Sequence, residues 1–221
     1  MQKTYETYRQ CRNDNQRSST KPGKIGSAWI ICTFIMAEGG VPLQPVGAVQ
    51  PEVEELDSLH MLFARDLVTY VMRRKVPGWS FSAQYSKPRP VTPFSYRIRH
   101  AVDFYLNKEC INLDTLFHMA FINESIEYDG FVRVIKLAVE SVLTKMGSYN
   151  DLLRFLSLLS HFTVLAYVRG VALAPYFALL NMKAVLHTYT ELKGVYTEVF
   201  YGELGYNAQD LIHEDMPILF P

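Results

Sequence analysis

The chain has 221 residues, 49% of them hydrophobic, with 22 basic and 22 acidic side chains. That composition supports one helical domain with a sizeable core and leaves too little chain for two. A formal net charge of zero excludes a dedicated nucleic-acid surface, which needs clustered Lys and Arg.

Residues 1–24 are polar and rich in Arg, Asn, Gln, Ser and Lys, a composition that predicts disorder. The apolar run AWIICTFIM follows within Ile25 to Met36 and is too short to span a bilayer. Residues 37–51 carry Gly39, Gly40, Pro42, Pro45 and Pro51 and read as a linker. Met36 is a candidate alternative start. The expected organisation is an extension and linker over 1–50, a helical domain over 51–205 and a tail over 206–221. No tail anchor is read in this chain.

The first helix is expected from Val53 to Lys75. Leu59, Leu62, Phe63, Leu67, Tyr70 and Val71 recur at three and four residues, one buried stripe. Pro77 and Gly78 stop it, and the basic run Arg73-Arg74-Lys75 suits its C-terminal dipole. Residues 80–93 read as a loop. A second helix is expected from Thr92 to Lys108, with Phe94, Ile98, Ala101 and Tyr105 on one face. Asn112 is the expected cap of a short helix through Ile122.

Glu127 to Lys145 is amphipathic, with Phe131, Val134, Ile135, Ala138, Val139 and Val142 inward and Gly147 ending it. Asn150 or Asp151 is the expected cap of a helix from Leu152 to Val168. That helix is apolar nearly all round, the mark of a bundle centre or a membrane segment. His161 within it reads as a satisfied core histidine. Gly170 breaks it, and Pro175 suits the first turn of a helix reaching Lys193. A last helix, Val195 to Tyr201, is expected to close against Gly202.

Cys11, Cys32 and Cys110 are odd in number and widely spaced, with no C-x-x-C. Neither a disulfide framework nor a zinc site is predicted, and a reducing compartment suits them. There is no P-loop, no G-x-S-x-G and no H-E-x-x-H. The chain does not read as an enzyme, and no metal or cofactor is expected.

From about Ser58 to Gly202 the chain resembles the Bcl-2 family of apoptosis regulators. DLVTYVMRRKVPGWSF resembles the family's BH4 region, down to the Trp after the helix. FSYRIRHAVDFY resembles a BH3 motif, with Phe94, Ile98, Ala101 and Tyr105 at the family's spacing around Asp103. NLDTLFHMAFINESIEYDGFVRVIKLAVESVL resembles the third and fourth helices, and SYNDLLRFLSLLSHFTVLA the BH1 region and central helix. The family's Asn-Trp-Gly-Arg stands here as Asp151-Leu152-Leu153-Arg154, and Val102 replaces the small residue before the BH3 Asp. No Trp-containing BH2 segment follows; Lys193-Gly194-Val195-Tyr196 lies near its place.

The resemblance implies an all-α, Bcl-2-like bundle of seven or eight helices around the central apolar helix. It implies a trough between the second and fifth helices that receives a partner's BH3 helix, anchored at i, i+3, i+4 and i+7. Arg154 is then the residue that pairs the partner's Asp, bidentate and register-setting. Asp151, Leu153, Phe155, Phe117, Met119, Phe131, Val132 and Ile135 are the expected groove residues. The implied partners are BH3-containing family members, as hetero- or homodimers, with a pro-survival effect in the cytoplasm or at the outer mitochondrial membrane. The runner-up is a pore-former whose 152–193 hairpin enters that membrane while residues 94–105 emerge to build oligomers. A plain helical scaffold or small-molecule carrier is the third reading, and predicts a closed bundle without a groove. On the blander side, Arg154 is within reach of Asp151 and Glu140, and Asp103 reads equally as a solvated helix residue.

Overall fold

The computed structural model describes residues 58–82, 85, 92–143 and 145–213. All regular structure among them is helical. In chain order the helices are α1 (Leu59–Lys75), α2 (Tyr96–Lys108), α3 (Cys110–Ala120) and α4 (Tyr128–Leu143). There follow α5 (Tyr149–Val168), α6 (Ala174–Lys193), α7 (Thr197–Asn207) and a closing turn, α8 (Asp210–His213). The polar segment and linker over 1–50, the expected start at Val53, Cys11 and Cys32, and residues 214–221 lie outside the described residues.

The helix starts follow local capping chemistry. Ser58 caps α1, its hydroxyl accepting the Met61 N–H at 3.2 Å. α2 begins at Tyr96, not Thr92, because Ser95 caps it and Pro93 stands ahead. α3 begins at Cys110, so Asn112 lies inside it and donates to the Glu109 carboxylate at 2.7 Å instead of capping. α5 is capped one turn earlier than expected. Ser148 and Asp151 form a reciprocal capping box, with the Asp151 N–H donating to the Ser148 hydroxyl at 3.1 Å.

Two helix ends differ from expectation. α4 stops at Leu143, four residues before Gly147. α7 runs through Gly202 to Asn207, and Leu211 and Ile212 beyond it are buried. Burial of Phe200, Tyr201 and Leu204 on one face outweighs the roughly 1 kcal/mol cost of a helical glycine. The residues expected as the start of a tail are thus part of the core. Gly170, at φ +101°, makes the turn between α5 and α6 as expected.

α5 is the centre of the bundle, lying against α1, α2, α3, α6 and α7. From Leu152 to Val164 every residue but Arg154 is buried. The buried hydroxyls of that stretch are satisfied within the helix. The Ser157, Ser160 and Thr163 hydroxyls donate to the carbonyls four residues back at 2.7, 2.9 and 2.7 Å. His161 bonds the Asp114 carboxylate of α3 at 2.7 Å, a satisfied core histidine as read. Trp79 and Phe81, just after α1, are buried against Tyr167 and Tyr176 of the α5–α6 hairpin, so the segment read as a loop contributes to the core.

Candidate functional site

Ring and polar contacts orient the helices around α5. Asp114 meets His161, Phe117 meets Phe162 at 5.3 Å, and Arg169 lies over Phe117 at 5.0 Å. α3 therefore lies against the second half of α5. Tyr128 and Phe131, at the start of α4, both meet Phe177 near the start of α6 at 6.2 Å. The start of α4 thus lies against the start of α6. α3 is packed mainly on α5 and α4 on α6.

The outer face of α3 mixes apolar and polar groups: Ile111, Asn112, Thr115, His118 and Met119 are exposed. Beyond the end of α3, Ile122 is 67% exposed, and Tyr128 is exposed at the start of α4. Ile111 is in the first turn of α3 and Arg154 in the second turn of α5. The Arg154 guanidinium is half-buried, 3.9 Å from Asp151 and close enough to Tyr105 of α2 to act on its hydroxyl. Burial dominates there and raises the Tyr105 hydroxyl above its ordinary value; Arg154 opposes it. Of the two carboxylates expected within reach of Arg154, Asp151 lies at 3.9 Å.

The expected groove residues are distributed unevenly. Met119 is exposed and Val132 half-buried, whereas Phe117, Phe131, Ile135, Leu153 and Phe155 are core residues exposed by 3% or less. A partner touching those five has to part the helices first. Asp151 is committed to the capping box, its carboxylate also accepting from the Ser148 hydroxyl at 2.8 Å.

The BH3-like stripe is likewise inward. Phe94, Ile98 and Ala101 are buried and Tyr105 is half-buried. Asp103 is not a solvated helix residue. The Tyr70 hydroxyl donates to its carboxylate, Arg74 pairs with it at 2.8 Å, and the same guanidinium donates to Asn107 at 2.5 Å. The Thr92 hydroxyl donates to Asp66. Asp66, Tyr70 and Arg74 stand at i, i+4 and i+8, so one edge of α1 holds α2 and its lead-in through polar groups. Tyr70, read as part of the apolar stripe, is half-buried for that reason. Its hydroxyl is raised to about 12 by burial and by the Asp103 carboxylate. The i, i+4, i+8 spacing was the available signal for this edge, as it was for the outer row of α3.

Among the described residues no three His, Cys, Asp or Glu side chains are grouped to hold a metal ion. α5 is the one described helix long and apolar enough to cross a membrane by length and composition, and most of it is buried here. Compared with known proteins, the chain matches no family model, no curated protein and no solved structure.

Proposed function

We propose that this bundle is a non-enzymatic regulator of apoptosis that receives the BH3 helix of a partner protein, in a pro-survival role. The observation that carries the reading is the exposure of Ile111 and Met119 on α3 and of Ile122 just beyond it, together with the half-buried Arg154 of α5. An amphipathic helix laid on those apolar side chains buries its own apolar face, while a carboxylate on it meets the guanidinium. The order of BH4-like, BH3-like and BH1-like segments supports the same reading. Phe117 and Phe131 then join the contact only as α3 and α4 separate.

The test is a titration of the purified chain with a panel of fluorescent BH3 peptides, beside Arg154→Ala and Ile122→Asp. Saturable binding, weakened by about 1.5 kcal/mol or more in Arg154→Ala, is expected from loss of a charge-assisted bond. Ile122→Asp should weaken it too. Absence of saturable binding to every peptide sinks the proposal and favours a closed helical scaffold.

The pore-forming reading draws on α5. Its 20 residues rise about 30 Å, the thickness of a bilayer core. Release of dye from liposomes of outer-mitochondrial composition by the purified chain would replace sequestration with that activity.

A further inference from the structure

The junction of α1, α6 and α7 is closed by a buried histidine whose hydrogen-bond partners dictate its protonation. His60, in the first turn of α1, is exposed by only 6%. Its Nδ1 is 2.8 Å from the Tyr201 hydroxyl of α7, and its Nε2 is 3.4 Å from the Thr190 hydroxyl of α6. Thr190 uses its own proton on the His187 carbonyl at 2.7 Å, so toward His60 it accepts. Nε2 therefore carries the ring proton, and Nδ1 accepts from Tyr201. Both nitrogens are satisfied by one neutral tautomer. A second proton on Nδ1 obliges the Tyr201 hydroxyl to turn from donor to acceptor and to point its own proton away from the ring.

Among the described residues, the groups that act on the ring offer a cation no compensation. Around the ring stand Phe200 at 6.2 Å, the Tyr201 ring at 5.7 Å and the His187 ring at 6.0 Å. The charged groups that lower its value both come from α6, His187 first and then Lys183. Glu191, the nearest acid on that helix, is engaged by His187 at 3.3 Å on the exposed side. Tyr201 on α7 is held protonated, its hydroxyl raised by burial.

We propose that His60, Thr190 and Tyr201 form an acid-sensitive release that frees the start of α1 from α6 and α7 when the imidazole is protonated. Burial first, then His187 and Lys183, lower the His60 pKa from 6.5 to about 4. Above pH 6.5 the ring is neutral folded or unfolded, and contributes nothing to pH dependence. Below it the unfolded chain takes up the proton and the folded junction refuses it. Stability therefore falls as pH drops from 6.5 to about 4, and the loss is complete below both values. The device is independent of whether the α3 row binds a partner.

The experiment uses the full chain. Urea unfolding of wild type and His60→Gln is compared between pH 7.5 and 5, with the ring nitrogens followed by NMR. From the two His60 values, the wild-type folding constant should fall about 30-fold more than that of His60→Gln by pH 5. The His60 ring should carry its proton on Nε2 and stay neutral at pH 5. Corrected hydrogen-exchange protection in the first half of α1 should drop before that of α5. His187→Gln, which removes a neighbour that lowers the His60 value, should raise the ring's midpoint, and decides the matter should His60→Gln not fold. An ordinary His60 midpoint in wild type, a proton on Nδ1, or equal acid responses of wild type and His60→Gln overturns the proposal.

Discussion

The α5–α6 hairpin and the α1–α2 junction are held by different physics. α5 packs on α6, and Leu156 and Leu159 of the one and Ala178, Leu179, Met182 and Leu186 of the other are all buried to 1% or less. Such a contact is non-directional, and each large side chain in it contributes about 1.5–3 kcal/mol by leaving water. α1 and α2 meet across Asp66, Tyr70 and Arg74, half-buried groups joined to Thr92, Asp103 and Asn107. Those bonds are directional, and each contributes only about 0.5–1.5 kcal/mol net because water competes for both partners. A bundle built this way has a centre that resists change and an edge that can be released by altering one or two atoms.

The strongest break of the apolar side is Phe162→Ala. Phe162 is buried under the edge of Phe117, and its loss should cost about 3–5 kcal/mol in urea unfolding. Gly130→Ala should follow at about 1–3 kcal/mol or more. A Cβ there would lie 2.0 Å from the Ser125 backbone oxygen, and backbone does not yield cheaply. Asp103→Ala should cost about 1–2 kcal/mol, since it strands the Tyr70 hydroxyl and the Arg74 guanidinium together. A cost above 3 kcal/mol would show that the junction is as firm as the core, and the contrast would fail.

Alkaline pH sharpens the same comparison. Tyr70 is raised from 10 to about 12, so its contribution is intact below pH 10 and lost as pH rises through 12. The stability difference between wild type and Tyr70→Phe should shrink across that range, while the effect of Phe162→Ala should be the same at pH 8 and pH 11. The smallest expected effect is that of Ser148→Ala, about 1 kcal/mol, from loss of the α5 capping box. A negligible change there would mean that packing alone sets where α5 begins.

Much of the helical scaffold was legible in the sequence because it rests on periodicity and on breakers. The stretch 152–168 could be read as central since it is apolar on every side, and Gly170 and Pro175 marked the turn after it. Helix starts were read less well. Asn112 and Asp151 are good capping residues by type, yet Asp151 serves as the acidic half of a box begun by Ser148 and Asn112 caps nothing. A single sequence does not reveal which of several polar residues has the extended backbone that a cap requires. The α7 end was misplaced because Gly202 looked like a stop, whereas the buried side chains on either side of it carry the helix on.

The candidate site was legible by residue type and not by exposure. Arg154 and Met119 are accessible, but Phe117, Phe131, Ile135, Leu153 and Phe155 are interior. An apolar residue at helical spacing looks the same from sequence whether it lines a groove or fills a core, because only the neighbours' positions differ. Ile111 and Ile122 were missed for the converse reason. Ile111 on α3 and Ile122 just past its end are exposed among the described residues, and their spacing, though visible in the sequence, does not say which side is covered.

What the sequence by itself determined is the helical class, the central placement of an apolar segment and the satisfied state of His161, since these follow from composition, period and local chemistry. What tertiary structure decided is which polar groups meet. Asp103 found Tyr70 and Arg74 across α1 and α2, and His60 found Thr190 and Tyr201 across more than a hundred residues of chain. Such bonds need atoms from distant segments placed within a few tenths of an ångström, and only the packed bundle supplies that placement.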